Sequence, residues 1–392
     1  MKLIDLDFKN EVKDDSSFKT LQKLKLPNKS IEEFKRFDLS QLYETPFNFN
    51  YSSDVSIEPF EYLKKDEFYY IFISNSQFLP LHSNINTSII FQEEQKTKTV
   101  SNNALYHLSE SFFKERNQIS ITQNLDKPLL IINLFKNQNS FVPTSLNISI
   151  EKNCNADIVE LFISQNSDEC FLNINRLFDV KENATLNYTK IEEFSQYDTT
   201  IFNCNSKVEK DSNLNIISLD SHAKKSLNLW DFFLDCDNIT LTINGIVNIK
   251  DNQHSANIAN ITHDAKNISS QVHIQHILDD KSQALFDVKT TINENAKFAK
   301  VTQSSKTTLV SDDARINAQP RLQIYTDELE ANHSATTGAI NQEELYYLKS
   351  RGIPSHKAIT MIIESFENKI IDKITNETVK HFIKEFKGKD NV

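Results

Sequence analysis

The sequence predicts a mainly β protein, with a strand-rich core between a helical N-terminal region and a helical C-terminal region. Residues 119–325 form the predicted core, because segments rich in Ile, Val, Phe and Thr alternate there with short turns of Asn, Asp, Lys and Glu. Apolar residues recur at helical spacing before and after this core. With 392 residues, the chain also exceeds the usual size of one compact core. The predicted regions are therefore residues 1–118, 119–325 and 326–392.

The N-terminal region begins with a helical pattern. Leucine, isoleucine and phenylalanine recur at helical spacing over residues 18–43, with a proline break and an N-cap at Ser30. Residues 69–73 and 88–91 then have the composition of strands, and residues 105–115 have the periodicity of a helix. We therefore expect a helical start followed by a segment of mixed structure.

Turn-like segments recur through the core at irregular intervals. They occupy residues 152–156, 181–184, 209–213 and 293–296, and each precedes a stretch that suits a strand. Such loose repeats favour the stacked coils of a parallel β-helix. A large β-sandwich also contains short alternating strands, so periodicity alone gives the two architectures equal weight.

The C-terminal region has the pattern of a helical hairpin followed by a last helix at residues 377–386. The first helix spans residues 342–350, with Gly352 just past its end and Pro354 near the start of the second helix. The second helix carries an apolar face that indicates helix packing first and partner binding second. The candidate partner-binding residues on that face are Met361, Ile362 and Phe366.

Composition excludes several function classes. The chain contains only four glycines, too far apart for a Walker A loop or a dinucleotide-binding turn, and it lacks G-x-S-x-G and H-E-x-x-H motifs. A net charge of -11 argues against a nucleic-acid-binding surface. No secretory signal is evident at the N-terminus, and the apolar run at residues 129–135 is too short to cross a bilayer, so we expect a cytoplasmic protein. The four cysteines are widely spaced, which predicts free and mostly buried thiols.

Several segments resemble the SufB/SufD family of iron-sulfur cluster assembly scaffolds. The motif His-Ser-Ala-Thr-Thr-Gly at residues 333–338, followed by residues 344–353, is similar to the family's C-terminal signature. Residues 319–324, with an acidic pair shortly after them, are similar to the strand that precedes this signature. Residues 282–286 and the segment 26–35 also resemble the family, so the landmarks span nearly the whole chain.

Within the family, the chain is similar to the SufD branch rather than the SufB branch. It lacks the cysteine-rich stretch and the extra length typical of SufB, and its signature resembles the His-Gly-Ala-Thr-x-Gly of SufD with Ser334 in place of glycine. Ala331 stands where some SufD proteins carry a cysteine, so this chain has no thiol at that position. Asp287 stands where a glycine is common.

The resemblance implies a fold, partners and a role. The implied fold is a right-handed parallel β-helix with helical flanks. The implied role is that of a non-catalytic subunit of an ATPase-driven scaffold, which pairs with a SufB-like subunit and docks a SufC-like ATPase through the C-terminal helices. The isolated chain could instead form a homodimer. No tightly bound cofactor is implied, only transient iron or a nascent iron-sulfur cluster at the SufB interface.

His333 is the candidate metal-binding residue. Residue chemistry alone favours a hydrogen-bonded histidine near the end of the last strand, and the family resemblance favours an iron ligand. If His333 is an iron ligand, Asp327 or Glu328 would orient its other ring nitrogen. His273 and His276 should lie on opposite faces of a strand, so we do not expect them to chelate one metal.

Two other functions fit parts of the pattern. A carbohydrate-active β-helix enzyme would need a groove with paired carboxylates, but such enzymes are usually secreted. A SufB-like homodimeric scaffold is the other alternative, and the lack of any cysteine after Cys236 argues against it.

Overall fold

The computed structural model describes residues 2–3, 11–49, 55–63, 66–75, 77–79, 86–93, 101–113 and 116–388. These residues contain six α-helices and nineteen β-strands. The helices are α1 (Asp15–Leu24), α2 (Ser40–Glu44), α3 (Ala104–Phe112), α4 (Gln342–Ser350), α5 (Ser355–Ile371) and α6 (Glu377–Gly388). The strands are β1 (Tyr69–Ser74), β2 (Gln77–Phe78), β3 (Ile89–Glu93), β4 (Arg116–Ile121), β5 (Leu129–Phe135), β6 (Phe141–Ile150), β7 (Asn155–Ser164), β8 (Cys170–Val180), β9 (Thr185–Glu193), β10 (Asp198–Val208), β11 (Asn213–Ser221), β12 (Lys225–Leu234), β13 (Thr240–Ile249), β14 (His254–His263), β15 (Ser269–Leu278), β16 (Gln283–Ile292), β17 (Ala299–Leu309), β18 (Arg315–Ile324) and β19 (Leu329–Ala339).

The strands form two facing sheets that the chain visits in alternation. Odd-numbered strands from β5 to β19 lie side by side in one sheet, and even-numbered strands from β4 to β18 lie side by side in the other. Each strand pairs in parallel with the strand one coil later, as Ile158 of β7 pairs with Tyr188 of β9. This topology confirms the predicted parallel β-helix with helical flanks and excludes the β-sandwich.

The turns between coils explain why so few glycines suffice. Asn153, Asn183 and Asp211 lie in the turns that follow β6, β8 and β10, which are three of the four predicted turn segments. Their backbones are in the left-handed region, with φ of 63°, 57° and 60°. Asn and Asp tolerate this conformation better than other residues with a side chain. The turns also stack, because the Asn183 side-chain amide donates to the Asn153 side-chain carbonyl at 2.8 Å. Asn and Asp at these positions therefore let successive coils use the same turn without glycine.

The helical regions cover the outer faces of the two sheets. Phe18 and Leu21 of α1 belong to an apolar cluster on the outside of the even-numbered sheet, together with Leu227 of β12. Ile371 of α5 and Phe382 of α6 belong to a second cluster on the outside of the odd-numbered sheet. A third cluster fills most of the interior between the sheets, and a small fourth cluster around Ile292 and Val301 lies at the last coils.

Several element boundaries differ from the sequence predictions. The β-helix ends at Ala339 rather than at residue 325, because β19 adds a final strand. The pattern over residues 18–43 yields two short helices and a turn of 3₁₀ helix, and Asp14 caps α1. Helix α3 ends at Phe112, and the last two residues of the predicted helix 105–115 lie outside the described residues.

The C-terminal predictions agree closely with the structure. Helix α4 spans the predicted residues, and Gly352 follows it with a φ of 84°. The amide N–H of Ile353 donates to the carbonyl of Leu348, which closes the helix end in the way a left-handed glycine permits. The last two helices begin within one residue of the predicted positions.

Candidate functional site

The last coil of the β-helix is open. Strand β18 is the edge of one sheet and β19 the edge of the other, and no described residue pairs with their outer sides. Nearly every residue of β19 is exposed, whereas the equivalent β17 alternates between buried and exposed residues. Unpaired N–H and C=O groups of an exposed edge strand are a template for pairing with another chain. We call this surface, formed by β18 and β19, the open end.

His333 lies in the middle of β19. It pairs in register with Gln303 of β17, whose fully buried side chain lies in the interior, and its neighbour Ala331 packs against the apolar cluster around Val301. Because side chains alternate along a strand, His333 belongs to the inward-facing set of β19. Since no later coil covers it, this side chain is exposed at the open end.

The prediction that Asp327 or Glu328 orients the His333 imidazole is wrong. Asp327 and Glu328 precede β19, and five residues along an extended strand separate Glu328 from His333 by roughly 16 Å. The Glu328 carboxylate instead forms an ion pair with Lys297, at 3.3 Å from Oε2 to Nζ. The extended strand thus carries the imidazole out of reach of both carboxylates.

The described part of the chain does not hold a complete metal site. No group of three or more His, Cys, Asp or Glu side chains lies close enough together to bind a metal ion in the residues that the structure places. Among the described residues, His333 is therefore not part of a complete set of metal ligands.

Three other histidines of the β-helix, His263, His273 and His276, occupy structural positions. His276 points into the interior and burial lowers its pKa to about 3, whereas His273 points outward near Lys373 and Lys306 and has a pKa of about 4, mainly through burial. Because the two side chains point to opposite faces of the strand, they cannot bind the same metal ion, as predicted. His263 is fully buried and its Nε2 lies 2.8 Å from the hydroxyl of Ser270.

The cysteines are free, as predicted. Cys154, Cys170 and Cys204 are buried and Cys236 is partly exposed. Burial raises the pKa of each thiol, to about 11 for Cys170. A raised pKa keeps a thiol in its less reactive protonated form.

The α4–α5 hairpin follows directly from the open end. None of the side chains of α4 is buried, and Tyr346 and Tyr347 are 73% and 56% exposed. The guanidinium carbon of Arg351 lies 5.3 Å from the centre of the Tyr347 ring. Met361 of α5 is 39% exposed. We call these four side chains of the hairpin the hairpin patch.

The three predicted partner-binding residues differ in accessibility. Ile362 is only 1% exposed because the chain itself covers it, and Met361 remains accessible. Phe366 is partly buried, with Lys306 at 5.9 Å and Lys369 at 5.2 Å from its ring centre. Sequence periodicity identified the helix face but not which end of it meets the β-helix.

The terminal helices pack against the β-helix. Ile370, Ile371 and Ile374 lie with Phe382 on the outer face of the odd-numbered sheet, in the same cluster as Ile246. Removing α5 and α6 would expose this whole apolar surface.

A buried ionic cluster in the middle coils was missed by the sequence analysis. Arg176 of β8 pairs with Glu160 of β7 at 2.6 Å, and Lys190 of β9 pairs with Glu192 at 2.6 Å and with Asp220 of β11 at 2.9 Å. All of these side chains point into the interior. The only signal was their position at alternating residues inside apolar strands, which equally suits a solvated face.

Comparisons with known proteins give a consistent result. A family model described as the SufBD core domain of SUF system FeS cluster assembly matches residues 133–366, which is more than half of the chain. A SufBD family protein of Synechocystis is 26% identical over 390 aligned positions, covering 90% of this chain and 85% of the relative. SufD of Escherichia coli is 24% identical over 287 positions, covering 70% and 66%. SufD of Bacillus subtilis is 33% identical over 104 positions, covering 26% and 24%.

None of the helices in the described residues is both long enough and apolar enough to span a membrane.

Proposed function

Since the chain belongs to the SufB/SufD family, whose core domain covers residues 133–366, we propose that it is a SufD-type scaffold subunit in iron-sulfur cluster assembly. The observation that carries this proposal is that the family domain coincides with a β-helix whose last coil is open. Relatives from Escherichia coli and Bacillus subtilis that bear the name SufD favour the SufD branch.

A SufB-like subunit is the partner that we assign to the open end. Strand β19 offers eleven residues of edge, and the exposed side chains of Ile324 and Tyr325 beside it are 44% and 52% exposed. Apolar side chains next to an unpaired edge suit a partner that continues the sheet. A second copy of this chain could use the same edge, which is the alternative homodimeric arrangement.

A SufC-like ATPase is the partner that we assign to the hairpin patch. Exposed tyrosines, an arginine and a methionine are the side chains that protein interfaces favour. Tyr346, Tyr347 and Met361 provide them on a hairpin whose first helix buries none of its residues in the chain. Ile362 would support this patch from below rather than contact the partner.

Iron, or a nascent cluster, is the substrate that we assign to the His333 region. The imidazole would contribute one ligand at the open end, and the SufB-like subunit would contribute the rest. The role of this chain is then to position ligands and partners, with ATP hydrolysis left to the SufC-like subunit. The cytoplasmic location expected from the sequence stays a prediction.

Copurification tests the partner assignments. The tagged chain should be expressed together with SufB-like and SufC-like proteins of the same source and then purified. We expect all three proteins to elute together, and substitution of Tyr346 and Tyr347 by serine should release only the ATPase. Glu377→Gln on α6, at a side chain 81% exposed, is the control that should retain every partner. Elution of the chain as a homodimer without the SufB-like protein would contradict the assignment.

Cluster formation tests His333. The His333→Ala complex should assemble normally, because substitutions of exposed residues usually change stability by about 0.5 kcal/mol or less. Its rate of cluster formation, followed by absorbance, should fall by on the order of tenfold or more, which is the effect expected for loss of a metal ligand or its support. Asn332→Ala, at the outward-facing neighbour, should behave like the wild type. Equal rates for all three complexes would remove His333 from the site.

A further inference from the structure

Five ionisable side chains share the interior of the middle coils. Glu160, Arg176, Lys190, Glu192 and Asp220 are each at most 3% exposed. Three of them are carboxylates and two are cations. If all five were charged, the cluster would carry one negative charge that nothing in it balances, and a buried uncompensated charge is costly.

The Glu160–Arg176 pair is complete in itself. Arg176 Nη2 donates to Oε1 of Glu160 at 2.6 Å, and Nε lies 3.0 Å from both carboxylate oxygens. The Tyr188 hydroxyl and the Asn133 side-chain amide also donate to this carboxylate. With several donors and a bidentate cation, Glu160 is the best stabilised anion of the three.

The remaining two carboxylates compete for Lys190. Asp220 accepts from Lys190 Nζ at 2.9 Å, from the Ser218 hydroxyl at 2.6 Å and from the Asn228 side-chain amide at 2.7 Å. Glu192 accepts only from Lys190, at 2.6 Å on Oε1. Its Oε2 is buried and has no hydrogen-bond partner in the described residues. Asp220 is therefore the better anion of this pair.

No further cation is available around Glu192 in the part of the chain that the structure describes. The Lys190 ammonium lies over the rings of Phe202 and Trp230, at 4.6 Å and 5.8 Å from their centres, and donates to the side-chain carbonyl of Asn228. Cys204, on the adjacent β10, has a raised pKa because it is buried, so its thiol stays neutral. The walls of the cluster are thus aromatic or neutral.

We propose that Glu192 binds a proton at neutral pH, so that the middle of the β-helix contains an internal proton site that balances the charge of the cluster. The proton sits on Oε2, the oxygen without a partner, while Oε1 keeps the Lys190 ammonium. Burial is the main cause that raises the pKa of Glu192, to about 7. This site goes beyond the scaffold role and does not depend on it.

A proton held only in the folded state makes stability depend on pH. Because the pKa is raised from the ordinary 4.5, its contribution is fully present below pH 4.5 and is lost as the pH rises through about 7. With a Glu192 pKa of 4.5 in the unfolded chain and about 7 in the folded protein, the titration of Glu192 lowers the folding equilibrium constant roughly 70-fold between pH 5 and pH 8.

Equilibrium unfolding at pH 5 and pH 8 tests the site. Glu192→Gln mimics the protonated form, so the ratio of wild-type to variant folding constants should fall by roughly 70-fold from pH 5 to pH 8. Other titrating groups are common to both proteins and cancel in this ratio. Asp220→Asn is the matched control, and it should destabilise the protein at both pH values because Lys190 loses its best partner. A pH-independent ratio for Glu192→Gln would overturn the proposal.

Infrared spectroscopy gives a second readout that does not require a stable variant. The folded wild type at pH 6 should show a carbonyl band of a protonated carboxyl group that disappears on raising the pH to 9. Buried Asp198, whose pKa is raised to about 6 by burial, should contribute to the same band. The part of the band that belongs to Glu192 should be missing from Glu192→Gln and retained in a surface control, Glu377→Gln. A spectrum without the band at pH 6, or a band of equal intensity in the wild type and Glu192→Gln, would show that Glu192 is not the proton site.

Discussion

Breaking the buried Arg176–Glu160 pair should be among the most destabilising single changes in the chain. Arg176 is 1% exposed and Glu160 is fully buried, and the pair joins β8 of one sheet to β7 of the other. Among the described residues, Arg176→Met would leave the Glu160 carboxylate with two neutral donors, from Tyr188 and Asn133. Removal of one partner from such a pair typically costs about 3–5 kcal/mol.

A double variant separates the cost of the orphaned charge from the loss of packing. Arg176→Met combined with Glu160→Gln removes both charges, and the new amide can still meet the Tyr188 hydroxyl. The double variant should therefore recover about 2 kcal/mol or more relative to Arg176→Met. This recovery would show that part of the loss in Arg176→Met comes from the unpaired Glu160 charge and not from lost packing alone.

Urea unfolding followed by tryptophan fluorescence measures these differences directly. The chain has a single tryptophan, and Trp230 lies buried in the same interior. Circular dichroism should give the same transition if the β-helix unfolds in two states. Lys152→Met is the matched control, because its ion pair with Glu182 is at the surface, with side chains 57% and 45% exposed, and should contribute little. A loss below about 1 kcal/mol for Arg176→Met would refute the reasoning.

Two further substitutions test the interior of the β-helix. Gly245→Ala would place a Cβ 2.7 Å from Ile274 Cδ1, so it should lower the free energy of unfolding in urea by about 1–3 kcal/mol. Adding Ile274→Val should restore part of that loss, and additive effects of the two substitutions would contradict the clash. Burial lowers the pKa of His276 from 6.5 to about 3, so the unfolded chain gains a proton at this side chain below pH 6.5 while the folded protein does not. The wild type should therefore lose roughly 2 kcal/mol more folding stability than His276→Gln between pH 7 and pH 5. Parallel losses in both proteins would show that His276 does not titrate as described.

The sequence predicts local structure where one residue type has one structural use. Asn153, Asn183 and Asp211 mark turns because few residues with a side chain adopt a left-handed backbone, and Gly352 marks the end of α4 for the same reason. The sequence cannot choose between a β-helix and a β-sandwich. That choice depends on which strand pairs with which, and side-chain alternation is the same in both.

The open end was hard to predict for a related reason. Strand β19 is mostly polar, and the apolar half of its alternation consists of Leu329 and three alanines, so the pattern by which buried strands are recognised is weak there. Residues 326–339 were therefore assigned to the helical region, although His333 was identified through the signature motif. The ionic cluster was missed because Glu160 and Arg176 meet only when the two sheets face each other.

Hydrogen exchange of the chain, alone and in complex with a SufB-like subunit, is the most direct test of the central claim that partners meet at the open end. In the isolated chain, the backbone amides of β19 that point away from β17 should exchange fast, because the outer edge of β19 has no partner in the described structure. In the complex, amides of residues 315–339 should become protected while those of the middle coils stay unchanged. Protection confined to other surfaces, with β18 and β19 still exchanging fast, would contradict the account.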